Sequence, residues 1–170
     1  MKSVSVAQIS CLILGLIILK RFCSYFFLTS VTFDKDALPA CLPAVGGPRV
    51  YGQLQISGWG MLAPRGPQPS KLQTTFVTQR SQSYCSRMYG PKYTSRQLCA
   101  NGSGRDVCNG DSGGPLTWRS TATKNKAFVV GIVSYGMICG YMTYPAVFTR
   151  TTDYVNWILS NTNTGQFCKR

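Results

Sequence analysis

Residues 105–116 read RDVCNGDSGGPL, and within them Ser112 is the side chain best placed to do chemistry. Acyl transfer needs a hydroxyl held exposed, with hydrogen-bond donors aimed where an oxyanion develops. Glycines around a serine permit the tight backbone that supplies both. Here Gly110 and Ser112 are the candidate N–H donors, while Gly113, Gly114 and Pro115 shape the exit of the loop. A serine hydroxyl is nevertheless a weak nucleophile unless an adjacent base takes its proton. The 170 residues include no histidine, and no lysine stands in a motif that would replace one.

The elements that must position this loop are short and β-rich. VYGQLQISGWG (50–60) alternates like a strand and ends in glycines, and MLAPRGPQPS (61–70) is a Pro/Gly loop. KLQTTFVTQR (71–80) alternates again, placing Leu72, Thr74, Phe76 and Thr78 on one face. SQSYCSRMYG suits a short helix, and further strands are expected at 97–100, 114–118, 127–135 and 146–150. In TTDYVNWILSNT the period changes: Tyr154, Val155, Ile158 and Leu159 are spaced for one helical face, with Asp153 near the start. About six short strands and one terminal helix describe a small all-β antiparallel barrel.

Composition agrees with one such domain. Hydrophobic residues make up 44% of the chain and aromatics 12%, enough for a real core, and 17 glycines and 9 prolines favour turns over long helices. Eighteen Lys and Arg face only five acids, giving a formal net charge of +13. The cations are scattered singly, with no dense basic run or nucleic-acid motif, so specific nucleic-acid binding is not expected.

The eight cysteines stand at 11, 23, 41, 85, 99, 108, 139 and 168. None forms a CxxC pair and no histidine completes a mixed site, so no metal and no cofactor is expected. Their spacing through loop-rich sequence argues for disulfides and an oxidising compartment. Asn101-Gly102-Ser103 forms a glycosylation sequon, a pattern common by chance.

Residues 1–30 are a different kind of sequence. CLILGLIIL (11–19) follows a basic start at Lys2, is itself followed by Lys20-Arg21, and lacks a clean cleavage signature. Three readings stand open: a secretory signal, a membrane anchor carrying association through residues 4–33, or a segment outside any working domain. The corresponding locations are secreted or anchored facing outside the cell.

From about Val31 to the end, the chain resembles the C-terminal half of a chymotrypsin/trypsin-family serine endopeptidase, somewhat like clip-domain proteases. The residues that carry this are PACLP (39–43), SGWG (57–60), LCA (98–100), DVCNGDSGGPL (106–116), VGIVSYG (130–136), Cys139-Gly140, PAVFTR (145–150) and YVNWI (154–158). The resemblance implies a protease domain over 31–170 built as the second six-stranded antiparallel barrel of that fold, with a C-terminal helix. It makes Ser112 the nucleophile and Gly110 with Ser112 the oxyanion hole. It places Asp106 at the floor of the substrate pocket, implying a protein or peptide substrate cut after Arg or Lys. Ser134, Tyr135 and Gly136 would align the substrate. Ala146, where the family usually has glycine, would add a methyl group near Asp106. Asp111 corresponds to the acid that pairs with a newly released amino terminus on activation. Cys85 with Cys99 and Cys108 with Cys139 match two family disulfides, whereas Cys11, Cys23, Cys41 and Cys168 have no assigned partners.

The resemblance stops short of the family's histidine and aspartate. The position corresponding to that aspartate falls near Arg21, while Asp34 and Asp36 lie too close to Cys41 and read as solvated loop acids. A missing first barrel would leave an apolar face exposed. The expectation is therefore a serine endopeptidase by family that is truncated and inactive as written. The alternative is a non-catalytic homologue acting as a binding or decoy module.

Overall fold

The computed structural model describes the backbone of residues 6–11 and 23–27, and residues 39–47, 52–104, 106–120, 126–137, 139, 143–162 and 168. Within the first thirty residues, strands β1 (Val6–Cys11) and β2 (Cys23–Phe27) pair antiparallel, bringing Cys11 opposite Cys23 in register. The apolar run from 12 to 19 lies outside the described residues.

Six strands close into a barrel: β3 (Gln53–Gly58), β4 (Gln73–Gln79), β5 (Gln97–Asn101), β6 (Pro115–Arg119), β7 (Ala127–Tyr135) and β8 (Ala146–Arg150). Their order around the barrel is β3-β4-β5-β8-β7-β6, every pairing antiparallel, and β6 returns to β3 through Ile56 opposite Leu116. The expected all-β barrel is thus present. Closure leaves no unpaired edge within it.

Alternation in sequence becomes alternation in burial. In β3, Leu54 and Ile56 point into the core, and in β7 Phe128, Val130 and Val133 do so. β4 adds a point that spacing alone left open. The face carrying Thr74, Phe76 and Thr78 is the exposed one, and Val77 on the opposite face is buried. Phe148, Leu54, Leu98 and Leu116 are the largest fully buried apolar side chains, each stabilising the barrel by about 1.5–3 kcal/mol through burial.

Helix α1 (Gln82–Tyr89) begins at Ser81, whose side chain accepts a hydrogen bond from the Tyr84 N–H at 3.2 Å, and ends at Gly90 with φ of 59°. Only Cys85 of this helix is fully buried, and its bond to Cys99 ties the helix to β5. The terminal segment is a 3-10 turn, Thr151–Tyr154, followed by α2 (Val155–Asn161). Val155 and Ile158 face the barrel as their spacing predicts, while Leu159 remains 44% exposed. The connector around Cys41 lies beside the start of β7, donating from Cys41 N–H to Ala127 O and accepting from Val129 N–H. Cys41 is bonded to Cys168, so two of the cysteines left without partners by sequence join the ends of the described domain.

Candidate active site

The loop from Asp106 to Pro115 owes its shape to backbone geometry that only glycine adopts readily. Gly110 has φ of 102° and Gly113 has φ of 84°, both in the positive region where a side chain is strained. Between them, Asp111 N–H donates to Cys108 O at 3.0 Å and Gly114 N–H donates to Asp111 O at 2.9 Å. The exit is fixed to β7 by Gly113 N–H to Val133 O (3.0 Å) and Val133 N–H to Gly114 O (2.9 Å). Ser112 stands exposed at the tip of this doubly anchored turn.

The entry side of the loop packs on the glycine-rich end of β3. Met61 N–H donates to Asn109 O at 2.9 Å. A Cβ added at Gly110 would sit 3.1 Å from Gly60 Cα. The Asp111 carboxylate turns into this junction, where Oδ1 accepts from Gly60 N–H at 2.8 Å and Oδ2 from Cys108 N–H at 2.9 Å. Any side chain at Gly58 or Gly60 would collide with that carboxylate. Sequence reading singled out Asp111 but not these two glycines as its seat; the signal available was the glycine pair in SGWG.

Asp106 is half-buried. Its Oδ1 accepts from the Val107 N–H at 2.8 Å, yet burial outweighs that bond and raises its pKa to about 7. Tyr89 of α1 is a neighbour that sequence reading missed. Its hydroxyl donates to Pro145 O at 2.5 Å, its ring meets Tyr135 edge-on at 5.5 Å, and burial, with Tyr135 and Asp106 adding to it, raises its pKa to about 12. Burial likewise raises the pKa of Tyr135.

The predicted residues fall into two groups in space. Asp106, Cys108, Asp111 and Cys139 line a cavity of about 410 Å³, together with Ile56, Gly58, Gly60, Met61, Thr75 and Val107. Ser112, Ser134, Tyr135, Gly136 and Ala146 do not line it. Ser134 and Tyr135 end β7, and Ala146 begins β8 fully buried among core side chains. Gly136 lies next to Ala146, so a Cβ placed there would be 3.9 Å from the alanine methyl. The disulfides Cys85–Cys99 and Cys108–Cys139 are both present, the second joining the Ser112 loop to the segment after β7. Asn101 of the sequon is 2% exposed and accepts from Arg80 Nε at 2.6 Å, so the folded chain presents no amide there for glycosylation.

The sequence pattern described as Trypsin matches residues 26–158. The chain belongs to the trypsin family. The trypsin-family span includes all six barrel strands, the Ser112 loop and the start of α2. Among curated proteins, the chain is 38% identical over 138 residues to transmembrane protease serine 11G of Rattus norvegicus, covering 78% of this chain and 33% of that protein. It is 36% identical over 135 residues to trypsin-1 of Astacus astacus (78% of this chain, 55% of the relative). It is 35% identical over 136 residues to phenoloxidase-activating factor 3 of Holotrichia diomphalia (77% and 38%). The chain therefore spans between a third and little more than half the length of these relatives. No helix among the described residues is long and apolar enough to cross a membrane.

Proposed function

We propose that this chain carries the nucleophile and specificity half of a trypsin-like serine endopeptidase that works outside the cell and cleaves after Arg or Lys. The placement of Ser112 carries this reading: it is exposed at the tip of a glycine-shaped loop anchored on one side to β7 and on the other to the end of β3. In this role Ser112 Oγ attacks the substrate carbonyl, and the Gly110 and Ser112 N–H groups stabilise the oxyanion. Asp106 pairs with the cationic side chain, Ser134, Tyr135 and Gly136 align the substrate backbone beside Ala146, and Asp111 braces the loop. Residues 1–30 serve as a signal or anchor-like segment or stand outside the working domain, and 31–170 serve as the protease domain. The disulfides support an extracellular site of action.

By itself the chain does not hydrolyse peptide bonds. None of its 170 residues is a histidine, and loss of triad members lowers turnover by roughly 10⁴ to 10⁶. Hydrolysis requires a histidine and an aspartate contributed from beyond these residues. A second reading, a non-catalytic module that binds basic side chains, is favoured by the Asp111 carboxylate, which is already satisfied by two backbone N–H groups without an added partner.

The test is turnover of Arg-ester and Lys-ester substrates and calorimetric binding of benzamidine, on the 170-residue chain and its Asp106→Asn and Ser112→Ala variants. We expect no turnover above that of Ser112→Ala, and benzamidine binding that Asp106→Asn abolishes. Ser112-dependent turnover by the chain alone overturns the inactivity. Absence of benzamidine binding overturns the Arg/Lys preference and the decoy reading together. Extending the chain with a segment bearing a histidine and an aspartate separates the two readings. Recovered turnover supports the endopeptidase, and continued inactivity with intact binding supports the module.

A further inference from the structure

Two asparagines of the chain precede glycine, in Asn101-Gly102 and Asn109-Gly110. Asparagine is thermolabile, and this dipeptide is its most labile setting. The backbone nitrogen of the following residue attacks the side-chain amide, and glycine, with no Cβ beside that nitrogen, obstructs the attack least. The fold places the two pairs in opposite environments. Asn101 ends β5 and is 2% exposed. Its backbone is paired with Thr78 of β4, and its Oδ1 accepts from Arg80 Nε at 2.6 Å. Bringing its Cγ onto the Gly102 nitrogen would break that bond and require β5 to open.

Asn109 is the reverse case. Asn109 and Gly110 are both exposed, in a turn of the Ser112 loop. Neither the Asn109 side chain nor the Gly110 N–H has a hydrogen-bond partner among the described residues. The peptide that must react is also polarised. Its oxygen, Asn109 O, accepts from Met61 N–H at 2.9 Å, which draws charge from the adjoining Gly110 nitrogen and favours loss of its proton. The net charge of +13 favours the same anion. The φ of 102° at Gly110 restricts that position to glycine, so the residue the turn requires is the one that makes Asn109 reactive.

We propose that Asn109 is a site of spontaneous deamidation, an ageing reaction that rebuilds the Ser112 loop. Hydroxide takes the Gly110 N–H proton, and the nitrogen attacks Asn109 Cγ. The Cγ–Nδ2 bond breaks, and the side-chain nitrogen takes a proton from water and leaves as ammonia, closing a succinimide ring and returning hydroxide. Water then opens the ring at one of its two carbonyls. Cleavage between Gly110 N and Cγ gives aspartate. Cleavage between Gly110 N and the main-chain carbonyl carbon of residue 109 gives isoaspartate, whose backbone runs through the side chain and is longer by a methylene. No oxidant, reductant or cofactor takes part. Either product places a negative charge beside the Gly110 N–H, and isoaspartate also shifts that N–H relative to Ser112. This chemistry does not depend on the protease reading of the site.

The experiment ages the oxidised 170-residue chain in heavy-oxygen water at pH 6 and pH 8 and maps its peptides by mass spectrometry, with protein isoaspartyl methyltransferase marking isoaspartate. In the folded chain Asn109 should convert faster than Asn101 by about tenfold or more, because only Asn101 must await the opening of a strand. Its rate should rise in proportion to hydroxide. In urea with the disulfides reduced, the two pairs should convert at similar rates. Hydrogen exchange reads the effect on the loop. The aged chain should lose protection at the Met61 and Asp111 amides, which donate to Asn109 O and Cys108 O, whereas Asn109→Asp adds the charge without the methylene and should keep it. Equal rates at the two pairs in the folded chain, or conversion at Asn109 only on unfolding, overturn the proposal. Aspartate formed at 109 without isoaspartate also overturns it, because direct hydrolysis then replaces ring closure. Unchanged protection in a chain carrying isoaspartate at 109 overturns the rebuilding of the loop.

Discussion

Replacing Asp106 by Asn should stabilise the chain at pH 8, and by less at pH 5. In the folded state the Asp106 proton is held to about pH 7, chiefly because burial disfavours the carboxylate, whereas the ordinary value is 3.8. Between those values the native state binds more protons than the unfolded chain, so stability falls as pH rises through the window and levels off above it. The difference of about three units corresponds to about 4 kcal/mol if fully expressed. Because the carboxyl is only partly buried, solvent screening reduces this to about 1–2 kcal/mol. The amide of the Asp106→Asn variant would still accept from the Val107 N–H but never ionises, so the variant should lack this component. The background is unusually clean: with no histidine in the chain, the α-amino group is the main other group whose ordinary value lies near this range. Urea unfolding of both proteins at pH 5 and pH 8 reads the effect. Because pH 5 already lies inside the window, the Asn variant should gain about 1 kcal/mol over the parent between the two pH values, about 2–4 °C in Tm for a chain of this size. An unchanged difference between the proteins at the two pH values would refute the reasoning.

Two other features of the loop and its frame are open to the same assay. Gly113→Ala meets open space and should cost only the strain of a positive φ, about 1–2 kcal/mol, whereas Gly58→Ala must push the Asp111 carboxylate off its two N–H donors and should cost about 3 kcal/mol or more. Combining Gly58→Ala with Asp111→Ala should then be far less than additive, and full additivity would show that the collision is not the cause. Replacing Cys85 and Cys99 by serine opens a link of sequence separation 14 and should cost about 3 kcal/mol, with α1 losing its hydrogen-exchange protection first; a loss below about 1 kcal/mol would contradict the anchoring role given to that bond.

Part of this arrangement is legible without coordinates because it depends on near neighbours in sequence. The strands could be placed because alternation with a period of two leaves the inward side apolar, as at Leu54 and Ile56. The Ser112 loop could be placed because Gly110 and Gly113 occupy backbone conformations that other residues resist. The cap at Ser81 and the stop at Gly90 bound α1 for equally local reasons.

What tertiary structure alone decided involves groups far apart in the chain. Alternation in β4 offers two faces, and only closure of the barrel chose Val77 for the core and left Phe76 outside. Cys41 and Cys168 are 127 residues apart, and no local pattern identifies them as partners. The sequon at Asn101 reads as a surface site until β5 is buried between β4 and β8. The state of Asp106 and the seat of Asp111 belong to the same class. A carboxyl group's proton affinity and partners are set by the dielectric and the donors around it: the burial of Asp106 comes only with folding, and of the two donors to Asp111 the Cys108 N–H is local whereas the Gly60 N–H comes from 51 residues away. The sequence by itself therefore determined the chemistry the chain could attempt, with a serine in a glycine-shaped loop and no histidine among its 170 residues. The fold determined which groups meet, because burial and hydrogen bonding depend on distance in space rather than along the chain.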